Sequence, residues 1–340
     1  MTPSDTPDIS ICIANYNGGE YVRDCLASVY AQKGNFKIEV LLHDDCSTDD
    51  SLDLVRREFP NVITLQSQHN VGFCISNNRM LNRARGRYAL LLNNDAKLRL
   101  ETLQSLLAYA NASNDDCLIG LPQYSLTDSS LVDRGYRTDI FLNPVPITDA
   151  GTHEVGVATG ACLWIPRSVW EKIGGFPDWF ESVAEDIYLC LAARLLGYRV
   201  VVLDAPGFDH WIGMNLGGGK LVDRRLSTTV RRRALSERNK TFAILLGYPM
   251  FALVLVLPLH MAFLSIEALF LLITGTGWTG VQRIYISVPI ALWRQRRKIA
   301  ALRAHLQRQR RCTSRQLFAQ TTCLPQKLRL LLRHGLPELR

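Results

Sequence analysis

The sequence lacks several signals that assign a chain to a common class. Its nine cysteines among 340 residues form no CxxC pair and are odd in number. Free thiols in a reducing compartment are therefore expected rather than a disulfide framework. The first residues, MTPSDTPD, have neither the basic start nor the apolar core of a signal peptide, so the chain is expected to begin in the cytosol.

Charge of one sign dominates one end of the chain. The formal net charge is +8, and arginine and lysine are concentrated after Arg224, above all between Arg294 and Arg340. There is no nucleic-acid motif and no basic stripe interleaved with aromatic residues. A basic segment next to an apolar one favours an anionic membrane surface over nucleic acid as the partner.

Short apolar runs alternate with helical patterns in the first half of the chain. The predicted strands are Ile9–Ala14, Ile38–His43, Val62–Gln66, Tyr88–Leu92, Leu118–Leu121 and Val200–Leu203. The predicted helices between them cover about 21–32, 51–59, 73–84 and 100–110. Such alternation is typical of an α/β fold with a doubly wound, mostly parallel sheet. Ser47 and Asp50 resemble a capping box at the start of the second helix.

Polar residues follow three of these strands. They are Asn15 to Asn17, Asp44 with Asp45, and Asn93 to Asp95. The carboxyl ends of parallel strands share one sheet edge, where α/β proteins bind ligands, so the three groups are expected to converge. No strand end carries G-x-G-x-x-G or G-x-x-x-x-G-K-[ST], so bound phosphates would need a metal to neutralise them. Taken alone, Asp95 could instead begin an ordinary loop.

The middle of the chain carries a second acidic candidate. Glu185 and Asp186 stand at the predicted start of a helix that runs to about Leu196, where the helix dipole favours an ionised carboxylate. Acidic residues in a first helical turn are also common without any function. The stretch Gln123–Glu154 has weak periodicity and many turn formers, and is predicted to shape a variable pocket wall.

Taken in order, these segments resemble glycosyltransferase family 2, in particular its rhamnosyltransferase-like bacterial members. The resemblance spans about Ile9 to Trp211, and a weaker similarity follows at Glu237–Lys240. It is carried by ISICIANYNGGEYVRDCLASV, HDDCSTDDS, HNVGFCISNN, ARGRYALLLNNDA, TGACLWIPRSVWEKIGGF, AEDIYLCLAARLLGYRVV and DH. Each motif is loose alone, but their order and spacing together are specific.

The resemblance implies a GT-A fold and inverting transfer of a sugar from a nucleotide diphosphate donor, with Mg²⁺ or Mn²⁺ as cofactor. It assigns donor binding to Asn15, Tyr16, Asn17, Asp44, Asp45, Asn70, Gly72, Asn93 and Asn94. Metal binding falls to Asp95, Asn93 and His210, although a lone histidine is as often structural. Asp186 corresponds to the catalytic base, with Glu185 as its acidic neighbour.

The chain departs from the family pattern at three positions. Asn93 replaces the first Asp of the DXD motif and offers a neutral carbonyl in place of a carboxylate. Tyr188 and Ala192 stand where the pattern has a further Asp and an Arg. Metal affinity and acceptor contacts are therefore expected to differ from those of the family, and a catalytically silent, membrane-bound scaffold of the same fold remains an alternative. A nucleotidyltransferase is the second alternative, although NYNGGE lacks the basic residue expected after its first strand.

Two apolar stretches follow the family motifs. Thr241–Ile266 has no formally charged side chain, and Ala268–Trp278 follows Glu267. Basic residues flank both sides, so the positive-inside rule places both ends in the cytosol and favours a hairpin or re-entrant anchor. A single spanning helix, interfacial helices, a buried helical subdomain and an oligomer interface remain alternatives.

These patterns divide the chain into three predicted regions. They are a transferase domain at 1–225, an apolar membrane-associating segment at 226–293 and a basic tail at 294–340. The loop Gly213–Lys220 is either a lid over the diphosphate, with Lys220 or Arg224 supplying charge, or a flexible connector. The expected partners are a nucleotide diphosphate sugar, a saccharide or polyprenyl-linked acceptor, and the anionic cytoplasmic face of the plasma membrane, with an oligomer possible.

Overall fold

The computed structural model describes residues 6–113, 115–211, 218–222, 225–273, 277–334 and 338–339. The chain forms two compact units. Unit 1 comprises Met1–Tyr136, Pro146–Ser182 and Tyr198–Trp211. Unit 2 comprises Arg137–Val145, Val183–Gly197 and Ile212–Arg340. The boundaries predicted for the three regions at 225 and 293 stay a prediction.

Unit 1 is built on a seven-stranded sheet. Its strands are β1 (Ile9–Asn15), β2 (Ile38–Asp44), β3 (Ile63–Gln66), β4 (Tyr88–Asn93), β6 (Cys117–Gly120), β11 (Cys162–Pro166) and β12 (Arg199–Val202). Their order is β12-β6-β11-β4-β1-β2-β3, and β11 alone among them runs antiparallel to its neighbours. The predicted mixed α/β fold with a mostly parallel sheet is confirmed.

The remaining elements of unit 1 are short. A second sheet has the order β5-β13-β7-β8. Its strands are β5 (Ala96–Leu98), β7 (Gln123–Ser125), β8 (Leu131–Asp133) and β13 (Phe208–His210). The helices are α1 (Gly19–Tyr30), α2 (Ser51–Glu58), α3 (Phe73–Arg83), α4 (Thr102–Ala112) and α5 (Arg167–Ile173), with a 3₁₀ turn at Asp178–Phe180. Part of Gln123–Glu154, the stretch of weak periodicity that is predicted to shape a variable pocket wall, is therefore strand.

Burial of apolar side chains explains the central strands. Ile9, Ile11 and Ile13 of β1 and Leu90 of β4 are fully buried in one apolar cluster. Strands covered on both faces read as continuous apolar runs, which is why they are visible in the sequence. The predicted capping box is wrong, because helix α2 begins at Ser51 and Ser47 is used elsewhere.

Unit 2 is mainly helical. Its helices are α6 (Glu185–Leu195), α7 (Val230–Gly247), α8 (Met250–Ile273), α9 (Gly277–Val281), α10 (Ser287–Arg308), α11 (Ser314–Phe318) and α12 (Gln326–His334), with a π-helical turn at Gln282–Ile286. Short strands complete it: β9 (Tyr136–Asp139) and β10 (Pro144–Pro146), which lie across the boundary with unit 1, β14 (Gly218–Val222), β15 (Arg225–Thr228), β16 (Thr321–Thr322) and β17 (Glu338–Leu339). The long uncharged run breaks between α7 and α8, and α8 continues through Glu267. Of the described residues, only those of α8 form a helix long and apolar enough to cross a membrane.

Candidate active site

The register of the central strands places three predicted groups on one sheet edge. Asn15 pairs with Asp44 across β1 and β2, and Ala14 pairs with Asn93 across β1 and β4. The carboxyl ends of β1, β2 and β4 therefore lie side by side. Residues far apart in the sequence are brought together here by parallel pairing alone.

Asn15 is the buried centre of this edge. Its side-chain nitrogen donates to Asp44 Oδ1 at 3.1 Å and to Ser51 Oγ at 2.9 Å, and its Oδ1 accepts a hydrogen bond from Asn94 Nδ2 at 2.9 Å. The residue has no exposed surface. Asn15 and Asn94, both predicted to contact the donor, therefore hold the strand ends together. The sequence motifs assign no role to Ser51, and its only signal there is its place as the last residue of the DDCSTDDS run.

The turn after β1 depends on a close backbone approach. A Cβ atom added at Gly18 would lie 2.1 Å from Asn15 Oδ1 and 2.6 Å from Asn94 Nδ2, so a side chain there would break the hydrogen-bond network. Asn17 has a left-handed φ of 50° and accepts a hydrogen bond from the Thr48 amide at 2.8 Å. Tyr16 is 47% exposed, so its ring is accessible to a ligand.

Asp45 shapes the loop before α3. Its two carboxylate oxygens accept hydrogen bonds from the backbone amides of Val71 at 2.7 Å and Gly72 at 2.8 Å. Gly72 has φ of 87°, a conformation that glycine adopts without strain. Asn70, immediately before them, is exposed. Asp45 thus fixes a loop whose exposed member is Asn70.

Asp95 and His210 meet at the next strand end. Strand β13 pairs antiparallel with β5, with His210 opposite Ala96. His210 Nε2 lies 3.0 Å from Asp95 Oδ1 and 3.4 Å from Asn93 Nδ2. Asp95 is buried, whereas Asn93 is partly exposed. The three residues predicted as metal ligands are therefore neighbours, although His210 is more than a hundred positions away from Asn93 and Asp95 in the sequence.

The side chains of Asp95, His210 and Asn93 together fit a divalent cation that is also coordinated by a bound diphosphate. A carboxylate, an imidazole nitrogen and an amide are ligands that Mn²⁺ and Mg²⁺ accept to different degrees. His210 Nδ1 is buried and has no hydrogen-bond partner among the described residues, so no second-shell acceptor there fixes its tautomer. Within the described residues no three His, Cys, Asp or Glu side chains cluster as a metal site. A cation would therefore need diphosphate oxygens to complete its coordination.

The strand that carries His210 is held from the side. Arg99 makes a bidentate ion pair with Asp209, with Nη2 to Oδ1 at 2.7 Å, and its guanidinium stacks 3.5 Å from the ring centroid of Tyr124. Trp211 packs edge-on against Tyr21 of α1, with ring centroids 5.7 Å apart. These contacts fix the backbone on both sides of His210. Sequence reasoning did not identify them.

The acidic pair lies in unit 2 at the first turn of α6. Val183 and Ala184 precede it with φ of 68° and 64°. This left-handed backbone conformation is strained for residues other than glycine. Asn239 of α7, which has no exposed surface, donates from Nδ2 to the Val183 carbonyl at 2.8 Å. Asn239 therefore holds the strained entry into α6. The weak sequence similarity at Glu237–Lys240 is the signal that could have found it.

The two carboxylates have different surroundings. Burial, together with the negative charge of Asp186, raises the pKa of Glu185 to about 8, while Arg232 opposes that shift. Glu185 Oε2 is buried without a hydrogen-bond partner among the described residues. Both residues are partly exposed as a whole, and Asp186 Oδ1, unlike Glu185 Oε2, accepts a hydrogen bond, from the Ile187 amide at 2.8 Å. Burial and the neighbouring charge of Asp186 thus favour the protonated form of Glu185.

Several predictions about this site stay predictions. Asp95 belongs to unit 1 and Asp186 to unit 2, so their meeting in one cavity is a prediction. Tyr188 and Ala192, the two departures from the family pattern, are buried in α6. Of the proposed lid, Gly213–Gly217 and Arg224 lie outside the described residues, while Gly218–Val222 forms β14 and pairs with β15.

Solved structures of similar fold include two glycosyltransferases. The crystal structure of Staphylococcus aureus TarS 1-349 in complex with UDP matches at a TM-score of 0.55 and 17% identity, covering 89% of this chain and 88% of that one. The mannosyltransferase PcManGT from Pyrobaculum calidifontis, in complex with GDP-Man and Mn²⁺, matches at a TM-score of 0.54 and 18% identity, covering 89% and 86%. At these identities the likeness shows the fold alone.

Two curated relatives match over part of their length. The putative teichuronic acid biosynthesis glycosyltransferase TuaG of Bacillus subtilis strain 168 is 30% identical over 125 residues, which is 35% of this chain and 48% of TuaG. The poly(ribitol-phosphate) beta-N-acetylglucosaminyltransferase TarS of S. aureus strain Mu50 is 28% identical over 207 residues, which is 59% of this chain and 35% of TarS. The matched regions thus span less than half of each relative.

Two family models match the chain. The model described as Glycosyl transferase family 2 matches residues 10–174, which include the strand ends of unit 1 up to Asp95. The model described as Glycosyl transferase family group 2 matches residues 118–293, which include the acidic pair and α8. Together they cover the predicted motifs in order, and the chain belongs to the family 2 glycosyltransferases.

Proposed function

We propose that this chain transfers a sugar from a nucleotide diphosphate donor to a hydroxyl of a saccharide or lipid-linked saccharide, with inversion at the anomeric carbon. The observation that carries the proposal is the convergence of Asp44, Asn93, Asp95 and His210 on one sheet edge. Membership of the family supports it. The first donor to test is dTDP-rhamnose, which rests on resemblance alone.

Unit 1 would bind the donor. Tyr16 is exposed, and so is Asn70 before the two amides that Asp45 holds, so both side chains are available to a nucleotide. Asp44 is buried and bonded to Asn15, which fixes its carboxylate at the strand end. Rigid side chains lose little conformational freedom on binding, so this edge is suited to positioning a ligand.

Asp95, His210 and Asn93 would hold Mg²⁺ or Mn²⁺ together with the diphosphate. A bound divalent cation supplies positive charge that offsets the negative charge of the leaving diphosphate. Asp95 provides the anionic oxygen and His210 the nitrogen. Because Asn93 is neutral, the protein donates one negative charge fewer than a pair of aspartates would, and weaker cation binding in the absence of donor is expected.

Asp186 would act as the base. It accepts the proton of the acceptor hydroxyl while that oxygen forms a bond to the anomeric carbon and the carbon–oxygen bond to the diphosphate breaks. Nucleoside diphosphate leaves with the bonding electrons. Burial and the charge of Asp186 raise the pKa of Glu185, and Asp186 is the member of the pair that is proposed to accept the proton. This direct displacement requires Asp95 and Asp186 to face one cavity, which is part of the proposal.

The proposal also places the reaction at the cytoplasmic face of the plasma membrane. Nucleotide sugars are cytosolic, and lipid-linked acceptors present their hydroxyls at the lipid surface. The outward face of α8, which is apolar apart from Ser265, supports this location. One relative is named for teichuronic acid biosynthesis and another as a poly(ribitol-phosphate) beta-N-acetylglucosaminyltransferase, and these names support a polymer hydroxyl as the acceptor.

A donor panel tests the proposed reaction. Purified full-length protein is incubated with dTDP-rhamnose, UDP-GlcNAc and GDP-mannose, with and without Mn²⁺, and released nucleoside diphosphate is measured. Asp95→Asn is compared with Asp128→Asn, which removes an exposed carboxylate of unit 1. Metal-stimulated release that only Asp95→Asn lowers strongly at the same Mn²⁺ concentration is the expected result. Pyrophosphate release would indicate a nucleotidyltransferase, and no product from any donor would indicate a silent scaffold.

A further inference from the structure

Helix α8 has the opposite polarity to a helix on the surface of a soluble protein. Its buried face carries both of its most polar groups, His260 and Glu267, whereas its outward face is apolar apart from Ser265. The strongly exposed side chains of that face are Met250, Phe251, Val254, Leu255, Leu259, Phe263, Ile266, Leu269, Phe270 and Ile273. A continuous apolar face of this length is typical of contact with lipid or another apolar partner.

The polar groups of the buried face are fully engaged within unit 2. Glu267 accepts ion pairs from Arg233 of α7 and Lys327 of α12, each at 3.0 Å. His260 Nε2 lies 2.9 Å from Thr241 Oγ1 of α7. These contacts fix α8 lengthwise against α7. The outward face of α8 is therefore the face that is available to contact a partner.

Helix α10 shares a buried apolar cluster with α8, through Val288 and Leu264, and its exposed residues differ in composition from those of α8. Ile286 and, on α10 itself, Ile290 and Trp293 are exposed at helical spacing, and Arg297 falls on the same stripe one turn later. The guanidinium of Arg296 lies 4.5 Å from the ring centroid of Trp293. Tryptophan beside arginine is typical of the boundary between acyl chains and anionic headgroups. The charge of this stripe selects an anionic lipid surface as the partner.

The level of the basic residues along the helices decides how α8 meets the bilayer. Helix α10 runs parallel to α7, since Val288 shares an apolar cluster with Val230, while Arg303 Nη1 bonds the Tyr248 carbonyl at 2.8 Å. The residues between, Arg294 to Lys298, therefore lie beside the middle of α7. That is the level at which His260, in the middle of α8, meets Thr241.

A crossing orientation would bury these charges. If α8 spanned the bilayer, the helices packed along it would enter with it, and four exposed basic side chains of α10 would lie near the hydrocarbon centre. Charged side chains at that depth are strongly disfavoured. An orientation parallel to the membrane surface instead keeps Arg294, Arg296, Arg297 and Lys298 at headgroup level while the outward face of α8 enters the acyl region.

We propose that α8 lies in the plane of an anionic membrane surface and does not cross it. The proposal deepens the membrane location of the proposed function and replaces the re-entrant hairpin that the sequence favours. Helix α7 joins this anchor to the acidic pair, because α6 packs so closely on it that a Cβ atom at Gly247 would lie 2.3 Å from Leu191 Cδ2. The anchor thus holds the proposed base close to lipid-linked acceptors.

A depth profile along α8 tests the orientation. Phe251, Ala262 and Ile273 are exposed and lie three helical turns apart on one face, about 16 Å between successive positions. Each is changed singly to Cys in full-length protein whose accessible Cys46, Cys312 and Cys323 are replaced by Ser. A spin label at each site then reports depth by oxygen and nickel collision rates in phosphatidylglycerol–phosphatidylcholine vesicles.

The two orientations predict different profiles. An in-plane helix places all three labels within about 5 Å of one another in depth, below the phosphates. A crossing helix would place Ala262 about 15 Å deeper than both ends, which would overturn the proposal. Labels shielded from both collision agents without vesicles would indicate self-association through this face and would also overturn it. Depth is independent of turnover, so failure here is distinguishable from failure of the proposed reaction.

Removal of the basic residues tests the lipid charge. The triple variant Arg296→Gln, Arg297→Gln, Lys298→Gln is expected to partition about a hundredfold less onto these vesicles, at roughly fivefold per residue. The control variant Arg56→Gln, Arg57→Gln, Arg87→Gln removes the same charge from unit 1 and is expected to leave partitioning within about twofold. Equal losses in both variants would contradict an anchor built on α10.

Discussion

Replacing Glu185 with Gln tests the electrostatics of the acidic pair. Burial and the charge of Asp186 raise the pKa of Glu185 from 4.5 to about 8. Folding therefore favours the protonated form. The stability associated with that proton is fully present below pH 4.5 and is lost as the pH rises toward 8. Glutamine is neutral and has the same shape, so the variant loses no stability from this position as the pH rises over the same range.

The expected size follows from the pKa difference. One pKa unit corresponds to about 1.4 kcal/mol, so at pH 7 the 2.5 units above 4.5 cost wild type roughly 3 kcal/mol relative to Glu185→Gln. At pH 5 the same difference is below about 1 kcal/mol. For a unit of 150–250 residues about 2–4 °C accompanies each kcal/mol, so the variant should melt roughly 6–12 °C above wild type at pH 7.

Differential scanning fluorimetry between pH 4.5 and 8.5 measures this difference. The melting temperature of the variant minus that of wild type should rise steadily up to about pH 8 and then level off. Glu154→Gln removes an exposed carboxylate and should give a small difference with no trend. A difference for Glu185→Gln that stays constant across the range would refute the burial of this carboxyl group.

Three further predictions concern the scaffold of the site. Asn15→Ala leaves polar groups of Asp44 and Asn94 without their buried partner, at a cost of about 1–3 kcal/mol each. The free energy of unfolding measured in urea should therefore fall by roughly 2–5 kcal/mol. A fall of less than about 1 kcal/mol would contradict the central role of Asn15 in this network. Asp95→Asn should raise the Mn²⁺ concentration needed for half-maximal activity at least about tenfold, and unchanged metal dependence would count against this ligand. Asn239→Ala should lower kcat about tenfold with donor KM unchanged, since it releases the strained entry to α6. An equal fall in donor affinity would argue against a positioning role.

The central strands could be predicted because their cause is local. Strand β1 was expected at Ile9–Ala14 and spans Ile9–Asn15, and α6 was expected from Glu185 to about Leu196 and spans Glu185–Leu195. Strands buried on both faces need an unbroken apolar run, which the sequence displays directly. The parallel arrangement then follows from the helices between them.

The hydrogen-bond network of the site could not be predicted in the same way. Asn15 bonds Asn94 across 79 positions, and nothing near either residue indicates that the amides satisfy each other. The family motif predicts that Asn15 and Asn94 contact the sugar donor, whereas in the structure these two amides hydrogen-bond to each other. The short strands β7 and β9 have the same origin, because β13 and β16, which are distant in the sequence, pair with them.

The extent of α8 also depends on distant residues. Glu267 interrupts the apolar pattern and suggested two separate stretches, but Arg233 and Lys327 neutralise it, and the helix continues to Ile273. Pro249, together with Gly247, ends the earlier run, since a proline disfavours helical geometry at the residue before it. Charge compensation across 60 positions is invisible to a local pattern.

Single-turnover transfer by Asp186→Asn tests the proposed base most directly. With donor, Mn²⁺ and a saccharide acceptor at saturating concentrations, the variant should lose about 10²–10⁴-fold in rate, the usual contribution of a general base. Its dissociation constant for nucleoside diphosphate and its melting temperature should stay close to those of wild type. A wild-type transfer rate in this folded, donor-binding variant would contradict the assignment of Asp186 and the mechanism built on it.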